Sequence, residues 1–403
     1  MSAGSNRRAA RGADDAPIRR ARNAVYAVFI SAGFIFASWA SRIPQVRSEL
    51  RVTPGVLGLI LLCIAVGAVI ATPLSGLVIG WLGETRTVVV MSWISAAGLA
   101  IVAVGYRLGI PPVAAGLFLF GFGTGAWDVA MNVQGAAVEH ALGRAILPRF
   151  HAGWSIGTVA GAAVGAVMVA LGVPVTVHLL AVALAVAVAV PAAALRFRPS
   201  THAGAHRDKA AARRSPLAAW TEKRTVLIGL FVFCMAFVEG TGNDWLSLAV
   251  IDGYRAAAVV GTLMFAVFLA AMTAGRWFGP RFIDRYGRVR VLRACAATAL
   301  IGLLLIEFGV FLPVAALRAT TLTGIQDCAA EVSASARPPG SRYAAGRVST
   351  AASIGYVAFL AGPPAIGFLG DHIGVLHSLS VAGVLLAAAL ILCRATAPAN
   401  GTA

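Results

Sequence analysis

Apolar residues occur along this chain in long runs, and polar residues fall mainly in the short stretches between the runs. One α-helix needs about 20 apolar residues to cross the hydrocarbon core of a bilayer, which is roughly 30 Å thick. The pattern therefore predicts twelve membrane-spanning helices in two sets of six. The first set is predicted at residues 24–42, 56–80, 88–105, 113–137, 154–171 and 175–195. The second set is predicted at residues 226–251, 256–278, 291–312, 314–335, 348–369 and 376–392.

Composition agrees with a chain that is immersed in lipid. Hydrophobic residues make up 59% of the 403 positions and charged residues only 12%, whereas charged residues make up about 25% of a soluble domain. So few charged side chains cannot cover a surface that faces water. The sequence therefore predicts an all-α integral membrane protein and excludes a soluble enzyme.

The basic residues are concentrated between the apolar runs and indicate the orientation of the chain. Most of the 33 lysines and arginines fall in a basic tail at 1–23, in a polar linker at 196–224, and in turns on the same side of the membrane. Segments rich in lysine and arginine stay in the cytoplasm. We therefore predict a multi-pass protein of the cell inner (cytoplasmic) membrane with both termini cytoplasmic. The linker separates an N-terminal half at 24–195 from a C-terminal half at 225–403.

Several classes of partner and activity are not supported by the sequence. The formal net charge of +17 matches the anionic lipids of the inner leaflet, and we expect no nucleic-acid partner. The five cysteines and seven histidines are scattered, so neither a metal site nor a cofactor is predicted. No phosphate-binding loop of the Gly-Lys-Ser type is present, which argues against a nucleotide-driven pump. A channel and an intramembrane enzyme are alternative functions that the sequence disfavours. We expect the protein to be a monomer.

Glycines recur at a four-residue spacing inside two of the predicted spans. Gly157, Gly161 and Gly165 lie in span five, and Gly121 and Gly125 lie in span four. Small residues at this spacing let helix backbones approach closely in lipid. We therefore expect tight helix pairs along these two spans.

The turn after span eight contains a recognisable motif. It runs from Gly279 to Arg290 and includes Asp284, Arg285, Gly287 and Arg288. This turn resembles the cytoplasmic signature of the major facilitator superfamily, which implies the fold of that family, with two six-helix halves. The resemblance also implies that the Asp-Arg pair latches neighbouring helices in one conformation. The counterpart after span two, at 76–84, keeps the glycines but has no Asp-Arg pair.

Other motifs narrow the resemblance to one branch of this superfamily. The segments at 125–135, 150–157, 239–245 and 349–374 resemble MosC-type proteins and, more distantly, fucose/proton symporters. The resemblance implies secondary active transport of a small polar solute together with protons, by alternating access around a midplane cavity. It does not identify the cargo, because one fold serves many solutes. A sugar-like compound is expected, and export of a toxic or drug-like metabolite is the open alternative.

Asp128 and Asn132 are the leading site candidates in span four. They are four residues apart and therefore share one helical face, and an ionisable group at membrane depth usually faces the interior of the bundle. By resemblance, Asp128 matches the position where the symporters carry an acidic residue tied to proton movement. The structural alternative is a static ion pair with an arginine such as Arg42, or a hydrogen bond to a helix backbone.

Polar residues in other spans complete the candidate site. Glu239, Asn243 and Asp244 are expected in the outer half of span seven, where the adjacent Trp245 would anchor the membrane interface. His151 and Trp154 begin span five. His151 either contributes to the site or simply caps the helix or contacts lipid headgroups. Trp39 and Arg42 end span one, where both could contact the cargo. The alternative for Arg42 is that its side chain extends to the membrane interface.

The tenth predicted span, at 314–335, is unusually polar. It contains Asp327 and Glu331 and is followed by Arg337 and Arg342. Its residues 323–332 are similar to 124–133 of span four, which favours a pore-lining helix. The abrupt change in composition is also what a compensated frameshift would leave, and the chain would then be a damaged transporter. The sequence leaves these two interpretations equally open.

Overall fold

A computed structural model describes residues 3–143, 146–197, 220–308 and 344–396. Within those ranges the regular structure is helical and contains no strand. In a helix the backbone N–H and C=O groups bond to each other, so they need no hydrogen-bond partner from the lipid, which has none to offer. The first helices are α1 (Ala3–Ala40), α2 (Ile43–Leu50), α3 (Pro54–Gly105), α4 (Ile110–Leu142), α5 (Leu147–Ala170) and α6 (Val175–Ala194). The later ones are α7 (Lys223–Tyr254), α8 (Ala258–Tyr286), α9 (Arg288–Phe308), α10 (Ala344–Ile373), α11 (Val375–Ser378) and α12 (Ser380–Leu392), followed by a 3₁₀ turn (Cys393–Thr396).

Eleven of the twelve predicted spans coincide with these helices. Ten helices of the described ranges are long and apolar enough to cross a membrane, and α3 contains both span two and span three. Helix α3 has 52 residues and a non-helical residue at Gly83, with φ 74° and ψ 163°. A straight helix of this length would extend about 78 Å, so the change of direction at Gly83 is what makes two spans of it. Span ten and linker residues 198–219 lie outside the described residues.

Several helices extend beyond their predicted ends. Helix α7 begins at Lys223 and continues through Tyr254, whereas the apolar run covers only 226–251. Helix α8 continues through Tyr286, eight residues past the predicted end at Phe278. The helices are longer than the predicted spans because hydropathy marks the part of a helix that suits the hydrocarbon core, and backbone hydrogen bonding continues outside it.

The chain forms two compact units. Unit 1 contains Met1–Trp39 and Cys63–Ala203, and unit 2 contains Ala40–Leu62 and Gly204–Ala403. Helix α3 begins in unit 2 and continues in unit 1. Helix α2 lies wholly in unit 2, where it packs on α7.

In unit 1, glycines bring helix backbones into direct contact. A Cβ atom at Gly157 would overlap the carbonyl oxygen of Ile30, and one at Gly161 would lie 2.5 Å from that of Phe34, both on α1. A Cβ atom at Gly121 would overlap the carbonyl oxygen of Ile64 on α3. These contacts confirm the tight helix pairs that the glycine spacing predicts.

In unit 2, α7 is the central helix, and α10 and α12 pack along it. The beginning of α3 is attached to α10 by Asp371, whose carboxylate accepts hydrogen bonds from the Gly55 N–H at 2.9 Å and the Thr53 hydroxyl at 3.2 Å. An anionic acceptor at a helix N-terminus is electrostatically favourable. Arg47 of α2 forms an ion pair with Asp252 of α7. These contacts explain why residues 40–62 group with unit 2.

The close contact at Gly157 gives the first prediction. Gly157→Ala forces α5 away from α1, so we expect the free energy of unfolding to fall by about 1–3 kcal/mol, the usual cost of overpacking. Gly76→Ala is the matched control, because Gly76 is also helical but has no atom within 4 Å of the added methyl group. The control is expected to be neutral or to gain up to about 1 kcal/mol from helix propensity. Thermal unfolding of both variants in detergent gives the comparison, and equal losses would contradict the packing argument.

Candidate functional site

Asp128 and Asn132 lie near the middle of α4 and contact each other. The Asn132 amide donates to the backbone carbonyl of Asp128 at 2.9 Å and to its carboxylate at 3.3 Å. The side chain of Asp128 is exposed, whereas the neighbouring Trp127 and Ala130 are fully buried inside unit 1. The predicted shared face is therefore confirmed, and it is a polar patch on the accessible side of an otherwise packed helix.

His151 and Trp154 lie in the first two turns of α5 and contact aromatic residues of α1. The His151 ring meets the Phe29 ring edge-on, with centroids 5.2 Å apart, and Trp154 lies 6.2 Å from Phe36. His151 is exposed and Trp154 is half-buried. Both side chains therefore lie along the α1–α5 contact of unit 1.

The N-terminus of α5 is capped by a residue that the sequence analysis did not select. Glu139, near the end of α4, accepts hydrogen bonds from the backbone N–H groups of Ile146 and Leu147, each at 2.7 Å. The expectation that His151 caps this helix is wrong, because His151 lies a full turn inside it. No local signal was available, because Glu139 lies fifteen positions before the predicted start of span five at residue 154.

Trp39 and Arg42 lie on either side of the end of α1, and both side chains are buried. Helix α1 ends at Ala40, but α2 continues the chain to Leu50. The side chain of Trp39 is 1% exposed and that of Arg42 is 2% exposed. The alternative in which Arg42 extends to the interface is therefore wrong, because its charged group is enclosed by protein.

Glu239 lies at the centre of α7, sixteen residues from Lys223 and fifteen from Tyr254, rather than in the outer half. Arg276 of α8 lies close to it, with Nη2 3.5 Å from Oε1 of the carboxylate. The two side chains are only 11% and 9% exposed. Arg276 was not predicted from the sequence, although it is a single arginine two residues before the end of the predicted span at 256–278.

The remaining candidates of α7 follow Glu239 along the helix. Asn243 is buried, Asp244 is half-buried, and Trp245 has no exposed surface. Trp245 therefore is not a membrane-interface anchor, contrary to the expectation. Three residues of this stretch contain buried polar atoms without a hydrogen-bond partner among the described residues: Thr241 Oγ1, Asn243 Oδ1 and Trp245 Nε1.

The signature motif spans the end of α8 and the start of α9. Asp284 and Arg285 are exposed in the last turn of α8, and Gly287 ends that helix with φ 81° and ψ 146°. Helix α9 then begins at Arg288. Gly83 adopts nearly the same backbone conformation within α3, so the two turns are structurally alike although only one has the Asp-Arg pair. In the described ranges, no cluster of three or more His, Cys, Asp or Glu side chains is suited to a metal ion.

Comparison with known proteins identifies the family. The sequence matches the profile of the Major Facilitator Superfamily over residues 24–342, which is most of the chain. The chain belongs to the Major Facilitator Superfamily. It is therefore a membrane transporter and not an enzyme, as the sequence analysis predicted.

Two relatives cover nearly the whole chain. An uncharacterised MFS-type transporter from Yersinia pestis is 30% identical over 384 residues, which are 92% of this chain and 93% of that protein. The membrane protein MosC from Rhizobium meliloti is 25% identical over 370 residues, 90% of this chain and 88% of MosC. The predicted similarity to MosC-type proteins is confirmed.

Solved transporters of low sequence identity share the fold. A D-xylose–proton symporter superposes with a TM-score of 0.74 at 13% identity and covers 94% of this chain and 97% of its own. The Escherichia coli fucose:proton symporter gives a TM-score of 0.59 at 16% identity and covers 93% and 98%. These structures show that this chain has the major facilitator fold.

The Glu239–Arg276 pair gives a prediction about stability. Arg276→Met removes the cation and leaves a buried carboxylate, and loss of one partner of a buried pair costs about 3–5 kcal/mol of the free energy of unfolding. Adding Glu239→Gln removes the remaining charge, so the double variant is expected to recover most of the loss. The measurement is thermal or denaturant unfolding of the purified protein in detergent.

Arg281→Met is the matched control for this experiment. Arg281 is exposed on the same helix, with its guanidinium 6.0 Å from the centre of the Phe278 ring. Its replacement is expected to change the free energy of unfolding by less than about 0.5 kcal/mol. If the double variant is no more stable than Arg276→Met alone, the two charges are not energetically coupled.

Proposed function

We propose that this transporter is a secondary active carrier of a small, sugar-like solute, driven by the proton gradient across the cytoplasmic membrane. Alternating access between its halves at 24–195 and 225–403 would move the solute. The observation that carries the proposal is the Asp128–Asn132 pair, a carboxylate and an amide in contact at the centre of α4 and on its accessible side. Such groups are rarely placed at membrane depth without a transport role.

The names of the structural neighbours support this choice of cargo and coupling. One neighbour is named a D-xylose–proton symporter and another a fucose:proton symporter. Both names describe sugar transport together with protons. Because sequence identity to both is low, the cargo of this chain has to be tested directly.

Each candidate residue has a role in this proposal. Asp128 takes up and releases the proton, and Asn132 holds its carboxylate in one orientation. Trp39, Arg42, Trp154, Asn243 and His151 contact the solute, and Glu239 and Asp244 are the other carboxylates available for coupling. Asp284, Arg285, Gly287 and Arg288 form the cytoplasmic motif that favours one conformation.

Asp128→Asn tests the coupling directly. A difference of about one pH unit can drive up to about tenfold accumulation, or about 1.4 kcal/mol, when one proton moves with each solute. The variant keeps the size and most hydrogen bonds of the side chain but cannot exchange a proton. We expect pH-driven accumulation of D-xylose or L-fucose in proteoliposomes to disappear, while exchange of solute without a gradient persists.

Asp128→Glu is the control because it retains a titratable carboxyl group, and it is expected to keep a large part of the accumulation. Normal pH-driven accumulation by Asp128→Asn would show that Asp128 is structural, and Glu239 and Asp244 would be tested next. Lack of counterflow of both sugars in the wild-type protein would argue against a sugar-like cargo.

The proposed orientation is tested with reporter fusions. A reporter after Arg213 in the linker is expected in the cytoplasm, because this segment is strongly basic. A second reporter after Arg255, which follows α7, is expected outside. Activity of an alkaline phosphatase and a fluorescent protein at both positions gives the answer, and an external linker reporter would reverse the orientation.

A further inference from the structure

Three side chains with oxygen acceptors lie one turn apart on a single face of α7. Glu239, Asn243 and Ser247 are separated by four residues each, and residues at this spacing share one face of a helix. Along the helix axis, each of these three residues lies about 6 Å from the next one in the row. Their exposed fractions are 8%, 8% and 6%. This row of oxygens is therefore enclosed within unit 2.

Two of these side chains have an oxygen without a hydrogen-bond partner among the described residues, Oδ1 of Asn243 and Oγ of Ser247. Buried hydroxyl groups in helices commonly bond to the carbonyl one turn earlier, as Thr262 does to Ala258 at 2.9 Å. Ser247 does not. A buried polar group without a partner costs about 1–3 kcal/mol. A ligand that supplies the missing partners would offset this cost.

Arg276 sets the charge of the row. Its guanidinium lies beside Glu239, so its positive charge offsets the negative charge of that carboxylate. A solute with a carboxylate or phosphate group would bring further acceptors and a second negative charge next to Glu239. Hydroxyl groups donate hydrogen bonds and are uncharged, and acceptors spaced one helical turn apart suit a solute that has several of them.

We propose that Glu239, Asn243, Ser247 and Arg276 form a binding subsite for an uncharged solute with several hydroxyl groups. This inference rests on the proposed function, and it adds Ser247, Arg276 and the chemical class of the cargo. Hydroxyl groups of the solute donate to Oδ1 of Asn243 and to Oγ of Ser247. Arg276 is a positioning residue that holds the Glu239 carboxylate at one end of the row.

Chemical labelling tests this subsite without knowledge of the natural cargo. The full-length variants Ser247→Cys and Thr241→Cys are purified and treated with N-ethylmaleimide. Peptide-resolved mass spectrometry distinguishes positions 247 and 241 from the native Cys234. Thr241 is the matched control, because it is 3% exposed and its hydroxyl also has no partner among the described residues, but it lies on the opposite side of α7.

A cargo subsite must open to water during the transport cycle, whereas a packed face need not. Position 247 is therefore expected to react at least about tenfold faster than position 241, a difference of about 1.4 kcal/mol in the free energy of opening. D-xylose or L-fucose is expected to slow the reaction at 247, and the anion D-glucuronate is not. Equal rates at the two positions, or a reaction at 247 that neither sugar slows, would overturn the proposal.

A second measurement covers the case in which Ser247→Cys does not fold. D-xylose or L-fucose is expected to raise the Tm of the wild-type protein more than that of Ser247→Ala, and an equal shift would overturn the subsite. Neither measurement requires a gradient or transport. Protection at 247 without proton-driven accumulation would leave the subsite standing and count against the proposed coupling. Counterflow of either sugar without protection at 247 would overturn the subsite and leave the proposed function standing.

Discussion

Backbone hydrogen bonding in an apolar solvent is the constraint on which the rest of this structure depends. Lipid offers no partner for a free N–H or C=O group, so the chain crosses the membrane as helices that satisfy these groups internally. Lipid tails are also as apolar as the side chains of leucine, so apolar burial alone does little to hold one helix against another. Close backbone contact replaces it, and Gly121 and Gly157 allow that contact in unit 1.

Features that depend on local sequence could be predicted well. The length of each apolar run determined eleven spans that coincide with helices, and glycine spacing predicted the tight pair of α1 and α5. The repeated turn is also local, since Gly83 and Gly287 share a backbone conformation with φ near 74° and 81°. The loss of the Asp-Arg pair beside Gly83 did not alter the turn, because only the glycine is required for that conformation.

Features that depend on tertiary partners could not be predicted. Glu139 caps α5 only because the fold brings the N-terminus of that helix next to it. Asp371 accepts a hydrogen bond from Gly55, which is 316 positions away in the sequence. From its position in the sequence, Arg276 is expected to be a basic residue at the end of a span. The packing of α8 on α7 encloses it beside Glu239 instead. The enclosure of Arg42 had the same origin, because hydropathy could not show that α2 continues beyond it. A single sequence does not show which helices will pack over a given polar side chain.

Helix α3 has a mechanical consequence. It passes from unit 2 to unit 1 between Leu62 and Cys63 without leaving the helical conformation. A loop at this crossing would act as a slack tether, but a helix resists bending because each residue is bonded to the turns before and after it. The residues on the two sides of this position therefore belong to one continuous rod of backbone hydrogen bonds, and the chain passes between the units without the freedom that a loop would give it.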